Sequence, residues 1–91
     1  MKIIFLKSFL KDINKIKESK TARKIEQLII DLKKVNDIEE VNNSRKLKGY
    51  SIAYRIKMGD YRMGIYKELD HIELAGFLKR EDIYKVFPKS N

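Results

Sequence analysis

The sequence predicts an α+β fold: an N-terminal strand and a helical hairpin packed on a small, mainly antiparallel twisted sheet, closed by a short C-terminal helix. Apolar residues recur at helical spacing through the N-terminal half and switch to strict alternation after Gly49. A Gly59-Asp60 pair then sits in the middle of the alternating stretch, where a tight hairpin turn belongs.

Ile3, Ile4 and Phe5 read as a first strand. Phe9, Leu10, Ile13 and Ile16 follow at helical spacing and predict a short amphipathic helix, interrupted by Lys17-Glu18-Ser19-Lys20. Ala22, Ile25, Leu28, Ile29, Leu32 and Val35 form the apolar stripe of a second helix. Nothing on the polar faces of these helices asks for a catalytic role. Asn42-Asn43-Ser44 marks a loop. From Gly49 onward Ile52, Tyr54, Ile56 and Met58 alternate with Ser51, Ala53, Arg55 and Lys57. Beyond the turn, Tyr61, Met63 and Ile65 alternate with Arg62, Gly64 and Tyr66. Glycine in the first turn position suits type II′. A turn through Glu68-Leu69-Asp70 leads to a further strand from about His71 to Phe77. A short helix from about Asp82 to Phe87 is stopped by Pro88.

Composition narrows the function. The 91 residues suit a single domain spanning 1–91, with no repeat or linker. A hydrophobic share of 43% supports one core, and 37% charged residues cover its surface. With no cysteine and one histidine, the chain carries no disulfide framework, no thiolate zinc site and no two-histidine acid–base pair. The apolar runs are too short to span a bilayer, and the N-terminus lacks a signal peptide's long apolar region, so a cytoplasmic location is expected. A net charge of +8 suits RNA, DNA, an anionic surface or an acidic protein partner.

The hairpin concentrates that charge. Its turn sets Met58 opposite Tyr61, Lys57 opposite Arg62, Ile56 opposite Met63, and Arg55 opposite Gly64. Tyr54, Ile56, Met63 and Ile65 then share the core face, while Arg55, Lys57 and Arg62 share the other, beside a bare Gly64. Like charges directly opposite cost about a few tenths of a kcal/mol. The cluster reads either as a phosphate-sized clearing or as a solvated face of a basic protein. Arg80 and Tyr84, four residues apart, share one face of the closing helix, next to Lys79. Glu81 and Asp82 fit its first turn as dipole partners, and Ile83 and Phe87 as its apolar contacts. Tyr84 reads either as a site residue or as a packing tyrosine. His71 reads as a solvated turn residue, Glu73 as a counter-ion to the cationic face, and Tyr50 and Tyr66 as the tyrosines free to stack on bases.

Lys46-Leu47-Lys48-Gly49, Tyr54-Arg55-Ile56-Lys57 and Gly59-Asp60-Tyr61-Arg62 together resemble the "L-x-G … Y-R-I-R-x-G-D-Y-R" signature of RelE/ParE toxins. Lys79-Arg80-Glu81-Asp82-Ile83-Tyr84 resembles the family's closing "H-R-x-D-I-Y" segment. The resemblance covers nearly the whole chain. It implies the toxin of a type II toxin–antitoxin system, a ribosome-dependent endoribonuclease that cuts messenger RNA, and a cognate antitoxin that neutralises it by covering the basic face. Alternatives on the same fold are a ParE-like inhibitor of DNA gyrase and a non-catalytic RNA- or ribosome-binding relative.

The catalytic positions that the resemblance implies are Arg55, Lys57, Arg62, Arg80 and Tyr84, flanked by Lys46, Lys48, Tyr50, Lys79 and Lys85 as RNA contacts. Some members carry arginine six residues before the terminal tyrosine. Leu78 stands there in this chain, which moves the expected charge stabiliser to Arg80 or Lys79. No metal, cofactor or membrane is expected. The chemistry implied is attack of an RNA 2′-hydroxyl on its neighbouring phosphate, giving a cyclic phosphate and a 5′-hydroxyl. Arg62 and Arg80 are expected to grip the phosphate, and Arg55 and Lys57 to stabilise charge. Tyr84 is expected to move the proton, a role that needs cations nearby because an unassisted phenol is a poor base at neutral pH.

Overall fold

A computed structural model describes residues 1–89. It contains β1 (Lys2–Phe5), α1 (Lys7–Ile13), α2 (Ser19–Lys34), a 3-10 turn (Ile38–Glu40), β2 (Ser44–Lys46), β3 (Ala53–Met58), β4 (Tyr61–Lys67), β5 (His71–Lys79) and α3 (Arg80–Val86). The five strands form one sheet in the order β1-β5-β4-β3-β2, parallel between β1 and β5 and antiparallel elsewhere. The architecture is the expected α+β arrangement with one addition: β2 starts at Ser44, the last residue of the stretch read as loop, and takes in Arg45 and Lys46, for which no strand was expected.

The hairpin forms as its turn residues dictate. Gly59 has φ +58 whereas Asp60 stays out of the positive-φ region, as a type II′ turn requires. The pairing runs Met58↔Tyr61, Lys57↔Arg62, Ile56↔Met63, Arg55↔Gly64 and Tyr54↔Ile65, the expected register throughout. Tyr54, Ile56, Met63 and Ile65 are buried on one face against Phe9 of α1, Ile25 and Leu32 of α2, and Ile38 of the 3-10 turn. Asp37 holds that turn in place. Its carboxylate accepts the Glu39 amide and an ion pair from Lys67 at 3.0 Å, while the Glu40 side chain accepts the Asp37 amide.

Strand β5 runs past the end of its parallel partner, and α1 takes over where β1 stops. The Leu6 amide donates to the Leu74 carbonyl, the Ser8 hydroxyl to the Ala75 carbonyl, and the Phe77 amide to Asp12 Oδ2. Side chains of a helix thus satisfy backbone groups that would otherwise be orphaned. On the β4 side the register shifts, with Gly64 facing Gly76 but Ile65 facing Leu74. Ala75 is therefore an extra, bulged residue. It changes the alternation so that Ile72, Leu74 and Phe77 all reach the main core.

The second face of the sheet is also covered. Ile83 and Phe87 of the α3 segment pack on Ala53 and Ala75, with Leu6, Leu47, Tyr66 and Leu78 around them. Gly64 lies directly beneath the Phe87 ring: a Cβ built on it would meet ring carbons at 2.8 Å. Gly64→Ala is expected to lower stability by about 1–3 kcal/mol through overpacking, measured by denaturant unfolding. Unchanged stability would mean that Phe87 does not rest there.

His71 opens β5 and is not a solvated turn residue. Its Nδ1 lies 2.7 Å from an Asp70 oxygen and its Nε2 3.1 Å from a Glu73 oxygen, with 17% of the side chain exposed. Ionised carboxylates only accept, so both bonds form fully when both ring nitrogens carry protons. Asp70, then Glu73, hold the imidazole above its ordinary value, and His71 holds the Asp70 carboxyl below its own. Stability from His71 is therefore complete below pH 6.5 and lost as pH rises through the raised value. The melting temperature is expected to fall across that upper window, and His71→Gln to remove the dependence. A wild-type profile matching that of His71→Gln would refute the pairing.

Candidate nucleic-acid interface

The end of the sheet at the Gly59-Asp60 turn gathers the basic residues. Lys79 ends β5 opposite Tyr61, and the Arg80 amide that opens α3 donates to the Asp60 carbonyl at 2.8 Å. One backbone bond thus ties the start of α3 to the hairpin turn. Lys57, Lys79, Arg80 and Tyr84 are all exposed there, with 48% of Tyr84 accessible. Arg80 and Tyr84 lie one helical turn apart on α3.

Arg55 is partly buried, and its Nη1 donates to the Asn43 carbonyl at 2.8 Å. The same carbonyl accepts the Lys57 amide, and Asn43 takes φ +69 to present it. Strand β2 places Arg45 directly opposite Arg55, so Arg45 belongs to the cationic face. Sequence reasoning missed it, because a three-residue strand is too short to show a period. Asn43, a residue type that accepts the positive φ found there, was the one local signal. Lys46 faces Tyr54 instead, which places it on the α1–α2 side of the sheet, away from the cationic face.

Arg62 does not extend into solvent as expected. It is 7% exposed, and its Nη1 donates to the Gly59 carbonyl at 2.8 Å and the Tyr61 carbonyl at 2.9 Å. The guanidinium therefore braces the hairpin turn from within, and the expected repulsion with Lys57 is relieved by two charge-assisted bonds. The expected clearing beside Gly64 is likewise occupied, since the Phe87 ring fills it. Open cationic surface begins at the turn and along β3, not over Gly64.

Leu78, opposite Arg62, packs in the smaller core with Ile83 and Phe87. An arginine side chain there would need a different neighbourhood. Tyr50 is 40% exposed but shares a groove with Ile52, Tyr66 and Glu73, at the opposite end of β3 from the turn. Five strand steps separate the two ends, roughly 17 Å at 3.3 Å per residue. Tyr50 and neighbouring Lys48 therefore stand apart from Lys57 and Arg80. Tyr66 tilts against Phe87 and its hydroxyl accepts the Lys89 amide, which leaves it a packing role. Glu73 pairs with His71 and not with the cationic face. Lys85 pairs with Asp82 at 3.5 Å. Among the described residues no group of three or more His, Asp or Glu side chains is arranged to hold a metal. The site offers ammonium and guanidinium groups for a phosphate and one exposed phenol for a proton.

The chain matches no family profile. It is 34% identical over 89 residues to Toxin RelE3 of Methanocaldococcus jannaschii, an alignment covering 97% of this chain and all of that protein. Its fold is similar to a chain in the crystal structure of a RelB-RelE antitoxin-toxin complex from Methanococcus jannaschii. The TM-score is 0.79 with 32% identity, over 93% of this chain and 99% of the other.

Arg62→Ala leaves two turn carbonyls without their cationic donor. It is expected to cost about 1.5–3 kcal/mol in denaturant unfolding, with Arg62→Lys recovering part of the loss. Equal stability of wild type and Arg62→Ala would show instead that the side chain stands free in solution.

Proposed function

This chain belongs to the RelE family of toxins and is the toxin of a toxin–antitoxin system, and from that premise we propose that it is a ribosome-dependent endoribonuclease cutting messenger RNA. The observation that carries this reading is the bond from the Arg80 amide to the Asp60 carbonyl. It brings the exposed Arg80 and Tyr84 of α3 to the turn of the strand pair that presents Lys57. Phosphate ligands and a proton carrier then meet at one edge.

In this proposal Arg80, Lys79 and Lys57 hold the scissile phosphate and stabilise the charge that grows on it as the 2′-hydroxyl attacks. Guanidinium forks match phosphate oxygens, which favours Arg80 as the principal grip. Arg55 and Arg45 contact the strand further along β3. Arg62 positions the turn and does not touch the phosphate. Tyr84 moves the proton. The cations and the phenol are too exposed to orient a flexible strand unaided, so the ribosome supplies the alignment. An antitoxin of the RelB kind, the partner in the similar complex, would silence the toxin by covering this edge. A gyrase-directed activity draws no support from any residue at the site.

Single-turnover cleavage on programmed ribosomes tests the reading. Tyr84→Phe is expected to keep the fold and ribosome binding but to cut about a hundredfold more slowly. The products should carry 5′-hydroxyl and cyclic or 3′-phosphate ends. An undiminished rate would remove Tyr84 from the chemistry, and 3′-hydroxyl ends would exclude attack by the 2′-hydroxyl.

A further inference from the structure

The described residues outside the hairpin hold a second concentration of charge. Residues 7 to 24 contain seven cations, Lys7, Lys11, Lys15, Lys17, Lys20, Arg23 and Lys24, against two acids. All seven cations are exposed, and none joins an ion pair among the described residues. Of the two acids, Asp12 accepts the Phe77 amide, and Glu18, the N-cap residue of α2, accepts the Thr21 hydroxyl within the segment.

Part of the placement runs against helix electrostatics. Lys11 lies in the last turn of α1, where the dipole favours a cation. Lys7, however, opens α1, which has no acid in its first turn, and Lys20 stands in the first turn of α2 with Glu18 at the N-cap beside it. Elsewhere the same chain follows the opposite rule, with Glu81 and Asp82 opening α3 and Glu39 and Glu40 in the 3-10 turn. Lys7 and Lys11 recur at four-residue spacing on α1, about 6 Å apart, and Lys15 follows four residues later in the turn just past its end. These unfavourable terms are removed when an external anion lies along the row.

Position in the fold indicates which anion. α1 flanks the free edge of β5, and α3 lies over β4 and β5. Between the two helices runs a largely apolar cleft of about 430 Å³, with Lys11, Lys15 and Lys89 at its lining together with Asp12, whose Oδ2 accepts the Phe77 amide. The hairpin cations of β3 lie on the far side of α3. From β3 to the edge of β5 the strand spacing amounts to roughly 10–15 Å. A chain gripped at Lys57 and Arg80 that crosses α3 arrives at Lys11 and Lys15.

We propose that the Lys7-Lys11-Lys15 row, which runs along α1 into the turn after it, is a second RNA contact, which holds the phosphate backbone of the substrate strand several nucleotides away from the hairpin edge. The proposal rests on the nuclease reading for the direction of the strand, and continuity with that edge favours RNA over an acidic protein segment. The row carries charge without base recognition, so it adds affinity and register and leaves sequence preference unaffected.

Binding of 2′-O-methyl RNA, which cannot undergo 2′-hydroxyl attack, separates this contact from cleavage. For a single strand of about 15 nucleotides, the slope of log affinity against log salt is expected to fall by about 1.4 in Lys11→Ala/Lys15→Ala, the loss of two phosphate contacts. A trinucleotide, too short to reach both places, should bind both proteins equally at the hairpin edge. Lys33→Ala/Lys34→Ala, at the far end of α2, should change neither, and all variants should melt no lower than wild type. An unchanged slope for the long strand overturns the proposal while leaving the nuclease reading intact. Failure of the wild type to bind the long strand at all also overturns the proposal, whereas the nuclease reading stands or falls with cleavage on programmed ribosomes. Stronger competition for the row by poly-glutamate than by RNA overturns it in favour of an acidic protein partner.

Discussion

Strand β5 has to satisfy its backbone along two unlike edges, and the rest of the molecule is arranged around that requirement. Its first half pairs in parallel with β1. Its second half has no strand on that side, and the Ser8 hydroxyl and Asp12 carboxylate of α1 supply the missing partners. The other edge pairs with β4 and, through it, the basic hairpin. Because β5 runs directly into α3, the position of its last residue decides where Arg80 and Tyr84 stand. The candidate site is thus an outcome of how one strand ends.

The cationic face shows how packing and charge share a surface. Charge counting treats Arg62 and Gly64 as a phosphate clearing, but Phe87 rests on Gly64 and Arg62 folds onto the carbonyls of its own turn. Both uses raise the rigidity of the hairpin, and rigidity is what a site built from long, exposed cations lacks most. Side chains with many rotamers bind weakly unless the elements that carry them are fixed. The buried residues of this face do that fixing, and the exposed ones are left for the ligand.

Much of this was legible beforehand, for identifiable reasons. The Gly59-Asp60 turn admits one pairing of its flanking residues, so the hairpin register and the burial of Tyr54, Ile56, Met63 and Ile65 follow from alternation alone. Alternation also put Arg62 on the correct side of the sheet, but it says nothing about which rotamer a long side chain adopts. Strand β2 was hidden because Ser44-Arg45-Lys46 has no apolar period, and with it the place of Arg45. The partners of His71 were hidden too, since two carboxylates at neighbouring positions read as turn polarity until the strand places both beside the ring. Tyr84 stays exposed, which leaves its hydroxyl available to a ligand.

The bulged Ala75 divides β5 into two phases. Before it, even-numbered positions such as Ile72 and Leu74 face the main core and odd-numbered ones such as His71 and Glu73 face the other layer. After it the meaning reverses, with Phe77 in the core and Leu78 beneath α3. A single inserted residue therefore lets one strand serve two cores that want different side chains, and it makes the length of β5 as much a part of its information as its composition. Removing one residue on either side of the bulge would bring the two phases into conflict, so the residue count of this strand is as constrained as the side chains it buries.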